Sequence, residues 1–124
     1  MVLKLYGNSR SPSTNRVRLV LGELNVPYEL VELNLQTHEE KQPQHVSCSP
    51  FGLLPYIVTD DGFTLFESRA ICRYLTLTHS GVGKLMPDPS DVKKTALFEQ
   101  ALCVELANFD PLASGVALEL VYKP

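Results

Sequence analysis

Apolar and polar residues alternate over positions 2–6, which predicts a short β-strand that ends at Gly7. Polar residues that favour helix caps fill positions 8–14, and we expect them to form a loop. Asn25 and Pro27 end the helix that is predicted after this loop. The apolar residues of that helix recur at the spacing of one helical face, and they are Val17, Val20, Leu21 and Leu24.

Three further strands and a second long helix are predicted downstream. Positions 28–33 are apolar and β-branched enough for a strand, whereas positions 34–49 predict an irregular segment with a short helix. Tyr56–Val58 and positions 63–66 are predicted strands on either side of a hairpin turn, Asp60-Asp61-Gly62. A helix is predicted over Ser68–Thr78, with one face formed by Ile71, Tyr74, Leu75 and Thr78.

The order strand-helix-strand, then strand-strand-helix, predicts an α/β fold in which a four-stranded mixed sheet carries helices on its faces. We expect this domain to cover residues 1–80 and a glycine-containing linker to cover residues 81–89. Residues 90–124 predict part of an all-helical domain, because one long helix and a fragment cannot bury their own apolar stripe. Ser90 is the predicted N-cap of the long helix, and Asp110-Pro111 predicts a break and a restart. The apolar stripe is formed by Phe98, Leu102, Leu106 and Phe109.

Composition narrows the classes of function. The net charge is −3 and the basic residues are scattered, which argues against a nucleic-acid partner. No apolar run approaches the length of a membrane span, and the N-terminus lacks a signal-peptide pattern, so we expect no membrane partner. Cys48, Cys72 and Cys103 have neither redox-motif nor zinc-ligand spacing, which predicts a reduced, cytoplasmic setting without a metal. The isolated histidines, His45 among them, are predicted to lie at the surface.

The stretch from residue 49 to residue 71 contains several devices for holding a small peptide. The Leu54-Pro55 bond can be cis at modest cost, which would turn the backbone of Leu54 outward for β-type pairing with a ligand. Glu67 and Ser68 open the helix that follows, and free backbone N–H groups there favour a carboxylate. Glu67 can in addition pair with an ammonium group. A peptide ligand with a carboxylate and an α-amino group at one end would suit these parts.

These motifs, in this order and spacing, resemble those of glutathione S-transferases of the phi-like class of plants and fungi. The resemblance covers essentially the whole chain and implies a thioredoxin-like N-terminal domain followed by the opening of an all-helical C-terminal domain. The motifs that carry it are Ser49-Pro50-Phe51-Gly52, the Leu54-Pro55 pair, Phe66-Glu67-Ser68-Arg69-Ala70-Ile71 and the segment from Ser11 to Val17.

The resemblance implies the roles of individual residues. Ser11 matches the family's catalytic serine, whose hydroxyl donates a hydrogen bond to the glutathione thiolate. The residues alone favour a simpler role, in which Ser11 and Ser13 cap the helix, and the family match reverses that preference. The glutathione contacts carried over by the motifs are Lys41, Leu54, Pro55, Glu67 and Ser68.

The same resemblance implies the reaction and the partners. Glutathione is the co-substrate and no cofactor is needed; the second substrate is a small hydrophobic electrophile, or an organic hydroperoxide that is reduced. The family also implies a homodimer. Phe51 lies in a loop that the family uses at its dimer interface, although a core aromatic fits the residue equally well.

Three residues depart from the family's pattern. Glu40 stands where the class has a histidine, and its charge would lie near the glycine carboxylate of glutathione. Leu53 stands where the class has a glutamine that bonds glutathione, so both changes predict weaker binding, by about 1 kcal/mol each. Asn15 replaces the first arginine of an Arg-Arg pair in the family, which predicts weaker support of the loop that carries Ser11, called here the serine loop.

Two other functions compete with the transferase. A non-catalytic ligand-binding or interaction module of the same fold is the main alternative, given Glu40, Leu53 and the short helical part. A thioltransferase that acts through a cysteine is disfavoured, because the loop after the first strand contains none.

Overall fold

The structure is a computed structural model that describes residues 2–123 of the chain. These residues fall into two compact units that divide between Gly81 and Val82, and each is described by itself. The regular elements of the first unit are β1 Leu3–Gly7, α1 Pro12–Glu23, β2 Tyr28–Glu32, α2 Pro43–Val46, β3 Tyr56–Val58, β4 Thr64–Phe66 and α3 Ser68–Thr78, with 3-10 turns at Leu35–Thr37 and Glu39–Lys41.

The sheet of the first unit is mixed and has the strand order β2-β1-β3-β4. β1 and β2 run parallel, with Leu5 opposite Leu30, as a strand-helix-strand connection requires. β3 pairs antiparallel with both β1 and β4, with Ile57 opposite Leu5 and Leu65. The predicted α/β, thioredoxin-like fold with a four-stranded mixed sheet is therefore confirmed.

The core lies between one face of the sheet and the helices α1 and α3. Successive side chains on a strand point to opposite faces, so Leu5 and Ile57 meet the helices while Tyr6 and Tyr56 face away from them. Complete burial of one such leucine or isoleucine stabilises the fold by about 1.5–3 kcal/mol. The buried cluster consists of Leu3, Leu5, Val17, Leu21, Ile57, Ile71 and Leu75.

The opposite face of the sheet corrects one prediction. His45, expected at the surface, is only 7% exposed, and its Nδ1 lies 2.7 Å from the hydroxyl of Tyr56. Tyr6 stacks on Tyr56 with ring centroids 4.6 Å apart. Because α2 lies over these two tyrosines, a histidine in a polar sequence becomes a hydrogen-bonding part of a small aromatic cluster.

Helix α1 begins earlier than its apolar spacing predicts. Positions 8–14 were expected to be loop, but the helix already starts at Pro12. Ser11 is the N-cap, and its Oγ accepts a hydrogen bond of 3.4 Å from the backbone N–H of Thr14. Proline at the first helical position lacks the N–H that would be unsatisfied there, so a polar first turn is stable without an apolar stripe.

The hairpin turn between β3 and β4 follows its sequence. The backbone N–H of Gly62 donates to the carbonyl of Thr59 over 3.0 Å, and Gly62 has a φ of +86° that favours glycine. Thr59 and Asp61 hydrogen-bond through their side chains inside the turn.

The second unit is one helical run, in which α4 Val92–Val104 and α5 Asp110–Ala117 are joined by a π-helical segment, Glu105–Phe109, and followed by another, Leu118–Tyr122. The N-cap is Asp91, whose carboxylate accepts from the N–H of Lys94 over 3.1 Å, and not Ser90 as predicted. The predicted break at Asp110-Pro111 is wrong. The wider π turn precedes Pro111, so the helix accommodates a residue without an N–H donor and continues.

Helix Val92–Tyr122 also qualifies the prediction that no apolar run approaches the length of a membrane span. By length and composition alone it could cross a membrane, since it has 31 residues and a mean hydropathy of 1.3 in its most apolar window. That is weak evidence for a membrane segment, because core helices of globular proteins pass the same test.

Candidate functional site

A cavity of about 210 Å³ opens in the first unit where three segments meet. These segments are the first turn of α1, the loop before β3 and the junction of β4 with α3. Four of the predicted site residues, Leu54, Pro55, Glu67 and Ser68, line it. The full lining is Ser13, Ser49, Phe51, Leu53, Leu54, Pro55, Phe66, Glu67, Ser68 and Arg69.

The loop before β3 forms one wall of the cavity and is held by its own hydrogen bonds. The Ser49 hydroxyl donates to the carbonyl of Leu53 over 2.8 Å, and the N–H of Gly52 donates to the carbonyl of Ser49 over 2.8 Å. The Leu54-Pro55 peptide bond is cis, the isomer that the sequence allowed. Phe51 projects from this loop with 71% of its surface exposed, so it is not a core aromatic.

The β4–α3 junction forms the opposite wall. Glu67 is the N-cap of α3 and has a φ of +74°, a conformation that costs a residue other than glycine about 1–3 kcal/mol. Ser68 follows it, buried, and its hydroxyl oxygen accepts a 2.7 Å hydrogen bond from Nη1 of Arg16. Since that oxygen acts as an acceptor, the hydroxyl proton of Ser68 remains a donor for a ligand.

Two helix N-termini therefore open on the same cavity. Ser13 belongs to the first turn of α1, and Ser68 and Arg69 to the first turn of α3. The first N–H groups of a helix have no partner within the helix, and together they carry about half a positive charge. The arrangement suits a ligand with more than one anionic group.

Ser11 is the N-cap directly before the first turn of α1 and is not part of the cavity lining, whereas Ser13 is. Its Oγ is occupied as an acceptor by the N–H of Thr14, which leaves the hydroxyl proton available to donate. The cap function that the residues alone allowed for Ser11 is thus present. A role in catalysis would be carried by the same hydroxyl.

The loop that carries Ser11 is anchored at Ser9. The backbone N–H and the hydroxyl of Ser9 donate to Oε1 of Glu32 over 2.8 and 2.9 Å, and these two hydrogen bonds lower the pKa of Glu32. Asn15 donates from Nδ2 to the carbonyl of Ser9 over 2.9 Å. Asn15 therefore supports the serine loop through its side-chain amide, at the position where the family pattern has an arginine.

Lys41 lies beside the cavity and not in its lining. Its Nζ donates to the carbonyl of Gly52 over 2.6 Å and lies 3.5 Å from the carbonyl of Phe51, a residue of the lining. To contact a ligand carboxylate, the Lys41 ammonium group would either use its remaining N–H groups or break its hydrogen bonds to these carbonyls.

The two departures from the family's glutathione contacts differ in their surroundings. Leu53 is exposed at the cavity, where it offers no hydrogen bond to a ligand. Glu40 is 8% exposed; its Oε1 lies 3.7 Å from Nδ1 of His38, and its Oε2 has no hydrogen-bond partner among the described residues.

All three cysteines are free thiols. Burial raises the pKa of Cys72 to about 11, so its thiol stays protonated at neutral pH, and its Sγ donates weakly to the carbonyl of Arg16 over 3.8 Å. Cys48 is half-buried and Cys103 is exposed on α4. Among residues 2–123 no three His, Cys, Asp or Glu side chains lie close enough together to hold a metal ion.

Sequence reasoning missed part of the lining. Ser13 was considered only as a cap, and Ser49, Phe66 and Arg69 were given no place in the site. Ser13 can be placed only once the start of α1 is known: with Ser11 as the N-cap, Ser13 is the second residue of the helix, in the turn whose N–H groups have no partner within the helix. Arg69 carries no comparable signal.

Comparison with known proteins agrees with this geometry. The family profile of the glutathione S-transferase N-terminal domain matches residues 1–76. Glutathione S-transferase PM239X14 of Arabidopsis thaliana is 41% identical over 123 residues, which are 98% of this chain and 56% of that protein.

Solved structures give the same result. Glutathione transferase F7 from Populus trichocarpa superposes with a TM-score of 0.88 at 36% identity, covering 99% of this chain and 57% of that one. Glutathione S-transferase I from maize, in complex with an atrazine glutathione conjugate, gives a TM-score of 0.90 at 28% identity, covering 100% of this chain and 56% of that one.

The chain thus spans little more than half the length of the relatives that it matches. Within that span the sequence matches the family profile, and the fold matches that of the phi-class relatives. The chain belongs to the glutathione S-transferase family.

Proposed function

We propose that this protein is a glutathione transferase of the serine type that conjugates glutathione to small apolar electrophiles. The observation that carries the proposal is the cavity in which Leu54, Pro55, Glu67 and Ser68 meet at the N-termini of two helices. These residues are the ones that the family's motifs assign to glutathione. No cofactor is needed, because glutathione supplies the nucleophile.

Each of these residues has a role that its chemistry supports. The carboxylate of Glu67 pairs with the α-ammonium group of the γ-glutamyl unit of glutathione. The α-carboxylate of the same unit accepts hydrogen bonds from the N–H groups at the start of α3 and from the hydroxyl of Ser68. The backbone of Leu54 pairs with the cysteinyl unit in β fashion, and cis Pro55 shapes that edge. Lys41, beside Gly52, attracts the glycine carboxylate.

Ser11 is the proposed catalytic residue. Its hydroxyl donates a hydrogen bond to the glutathione sulfur, and the positive end of the α1 dipole stabilises the same thiolate. Lowering a thiol pKa by about two units takes about 2.7 kcal/mol, which one charge-assisted hydrogen bond and a helix end together supply. The thiolate then attacks the electrophilic carbon of the second substrate, and the leaving group departs with the electron pair of its bond.

The relatives support this class of reaction. The maize protein holds a conjugate of glutathione with atrazine, which is the product of such an attack. Reduction of an organic hydroperoxide is a second reaction of the proposed site. The thiolate attacks the terminal oxygen, the O–O bond breaks and the alkoxide leaves as the alcohol after it takes up a proton. The sulfenic acid of glutathione formed in this way condenses with a second glutathione to give the disulfide and water.

The proposal extends to the organisation of the protein. Residues 1–80 form the glutathione-binding domain, 81–89 the linker and 90–124 part of the helical domain. The exposed ring of Phe51 supports a homodimer that buries it. A cytoplasmic location follows from the need for reduced glutathione.

Replacement of Ser11 by alanine tests the catalytic assignment. Turnover should fall about ten- to a hundredfold, because the bound thiol loses its donor, while glutathione affinity changes less than about threefold. Since Ser11 also caps α1, the variant should lose about 1 kcal/mol of unfolding free energy, and denaturant unfolding measures that loss separately. Ser90→Ala, at an exposed serine of the other unit, is the control. Unchanged turnover in Ser11→Ala contradicts the assignment.

A non-catalytic binding module of the same fold is the second candidate. It is favoured by Glu40, a buried carboxylate beside Lys41 that would repel the glycine carboxylate, and by Leu53 at the cavity. Saturable glutathione binding without turnover towards a panel of apolar electrophiles would support it over the transferase.

A further inference from the structure

The serine loop, residues 8–11, is held by side chains that lie outside the cavity. Asn8, the first residue of the loop, makes two hydrogen bonds to its surroundings. The N–H of Asn8 donates to Oγ1 of Thr14 over 3.1 Å, and Nδ2 of Asn8 donates to the carbonyl of Leu33 over 2.9 Å. The carbonyl of Asn8 in turn accepts from the N–H of Ser11 over 2.9 Å. The loop is therefore tied to the end of β2 at one side and to α1 at the other.

Ser9 is the centre of this network although it is exposed. Its N–H and hydroxyl both reach the carboxylate of Glu32, and its carbonyl accepts from Asn15. Asn15 is itself oriented by Arg18, whose Nη1 donates to Oδ1 of Asn15 over 3.0 Å. Both backbone polar groups of Ser9 are thus used, two residues before Ser11.

Neither Glu32 nor Asn15 lines the cavity, and both make hydrogen bonds to Ser9 of the loop. Glu32 ends β2 and is exposed. Side chains outside the cavity that each make hydrogen bonds to one short loop fix its path, and misplacement of a reacting group by about 1 Å can cost a hundredfold in rate.

We propose that Glu32 and Asn15 are positioning residues that set the Ser11 hydroxyl for the glutathione thiolate. This inference rests on the proposed function of Ser11. Glu32 acts by accepting hydrogen bonds from Ser9, and Asn15 acts by donating one to it. The path of the loop, and with it the direction of the Ser11 hydroxyl, depends on both.

The test compares three variants of the full chain: Glu32→Ala, Glu32→Gln and the control Glu29→Ala. Glu29 lies on the same strand and is exposed, and its carboxylate is 3.9 Å from Nζ of Lys4, away from the loop. The readouts are the pKa of the thiol of bound glutathione, followed by thiolate absorbance, and kcat and KM with an aromatic chloride electrophile.

Glu32→Ala should raise the thiol pKa of the complex and lower kcat about three- to tenfold, with the KM for glutathione unchanged within about twofold. Glu32→Gln keeps an acceptor oxygen and should recover most of the lost turnover. Glu29→Ala should match the parent protein. Amide hydrogen exchange at Ser9 and Ser11 should quicken in Glu32→Ala alone.

Several outcomes overturn the inference. A Glu32→Ala variant that matches Glu29→Ala in thiol pKa and kcat contradicts it, as does a Glu32→Gln variant as impaired as Glu32→Ala. A parent protein that neither ionises bound glutathione nor turns it over contradicts the proposed function instead, and the inference fails with it.

Discussion

The carboxylate of Glu32 is stabilised in its ionised form by the loop that it anchors. The backbone N–H of Ser9 lowers its pKa most and the Ser9 hydroxyl comes next; burial opposes them, and the charges of Arg18 and Arg10 lower the pKa further. A carboxylate with a lowered pKa in the folded state stabilises the fold above its unfolded pKa, of about 4.3. That contribution is lost as the pH falls through the folded pKa.

Acidification should therefore loosen the serine loop. As the pH falls below about 4, the parent protein should lose protection of the Ser9 amide and some unfolding free energy, whereas Glu32→Gln should lack this component. Asp61 and Asp88 also have lowered pKa values, because a Thr59 hydroxyl and a Ser90 N–H respectively donate to them, so a matched comparison of the two proteins is needed. Parallel pH profiles for parent and Glu32→Gln would contradict the assignment.

Residues of the site differ in how far the sequence could predict them. Leu54, Pro55, Glu67 and Ser68 belong to contiguous motifs, and the structure brings them to one cavity. Ser13 and Glu32 could not be placed in the same way. Their roles depend on where α1 begins and on which strand runs beside β1, and neither is visible in a local motif.

At the scale of elements, β1 and α1 meet where only a glycine fits. A Cβ on Gly7 would lie 2.5 Å from Cγ2 and 2.6 Å from Oγ1 of Thr14, a fully buried residue of α1. The same Oγ1 accepts from the N–H of Asn8, so this contact sets the start of the serine loop.

Gly7→Ala should therefore destabilise the protein by about 1–3 kcal/mol, because the added methyl group must displace Thr14 or the end of β1. Gly22→Ala is the matched control, since no atom lies within 4 Å of a Cβ there and alanine favours the helix by about 0.5–1 kcal/mol over glycine. Denaturant unfolding of both variants checks the prediction. A Gly7→Ala protein as stable as the parent would refute it.

Element boundaries follow local hydrogen bonding more than apolar periodicity. The apolar spacing located α1 and α3 correctly, yet α1 begins at Pro12 because Ser11 caps it. In the second unit Asp91 caps α4 in place of Ser90, and the π turn before Pro111 keeps the helix continuous. A capping carboxylate and a widened turn decide these positions, and a periodicity argument contains neither.

At the scale of the whole molecule, the first unit has the core and the candidate site, whereas the second is a helical run with many exposed apolar residues. The fold class was predictable because strand alternation, turn residues and helix spacing all indicate the same order of strands and helices along the chain. The chain spans 56–57% of the length of the relatives compared above.

The central claim is that the cavity of the first unit binds glutathione, and calorimetric titration of the full chain with reduced glutathione at neutral pH tests it most directly. The account predicts saturable one-to-one binding, weakened about tenfold or more in Glu67→Gln, which removes the charge that pairs with the γ-glutamyl ammonium group. Unaltered binding in Ser90→Ala is the control. Absence of binding at millimolar glutathione, or equal affinity in the parent and Glu67→Gln, would contradict the proposed site.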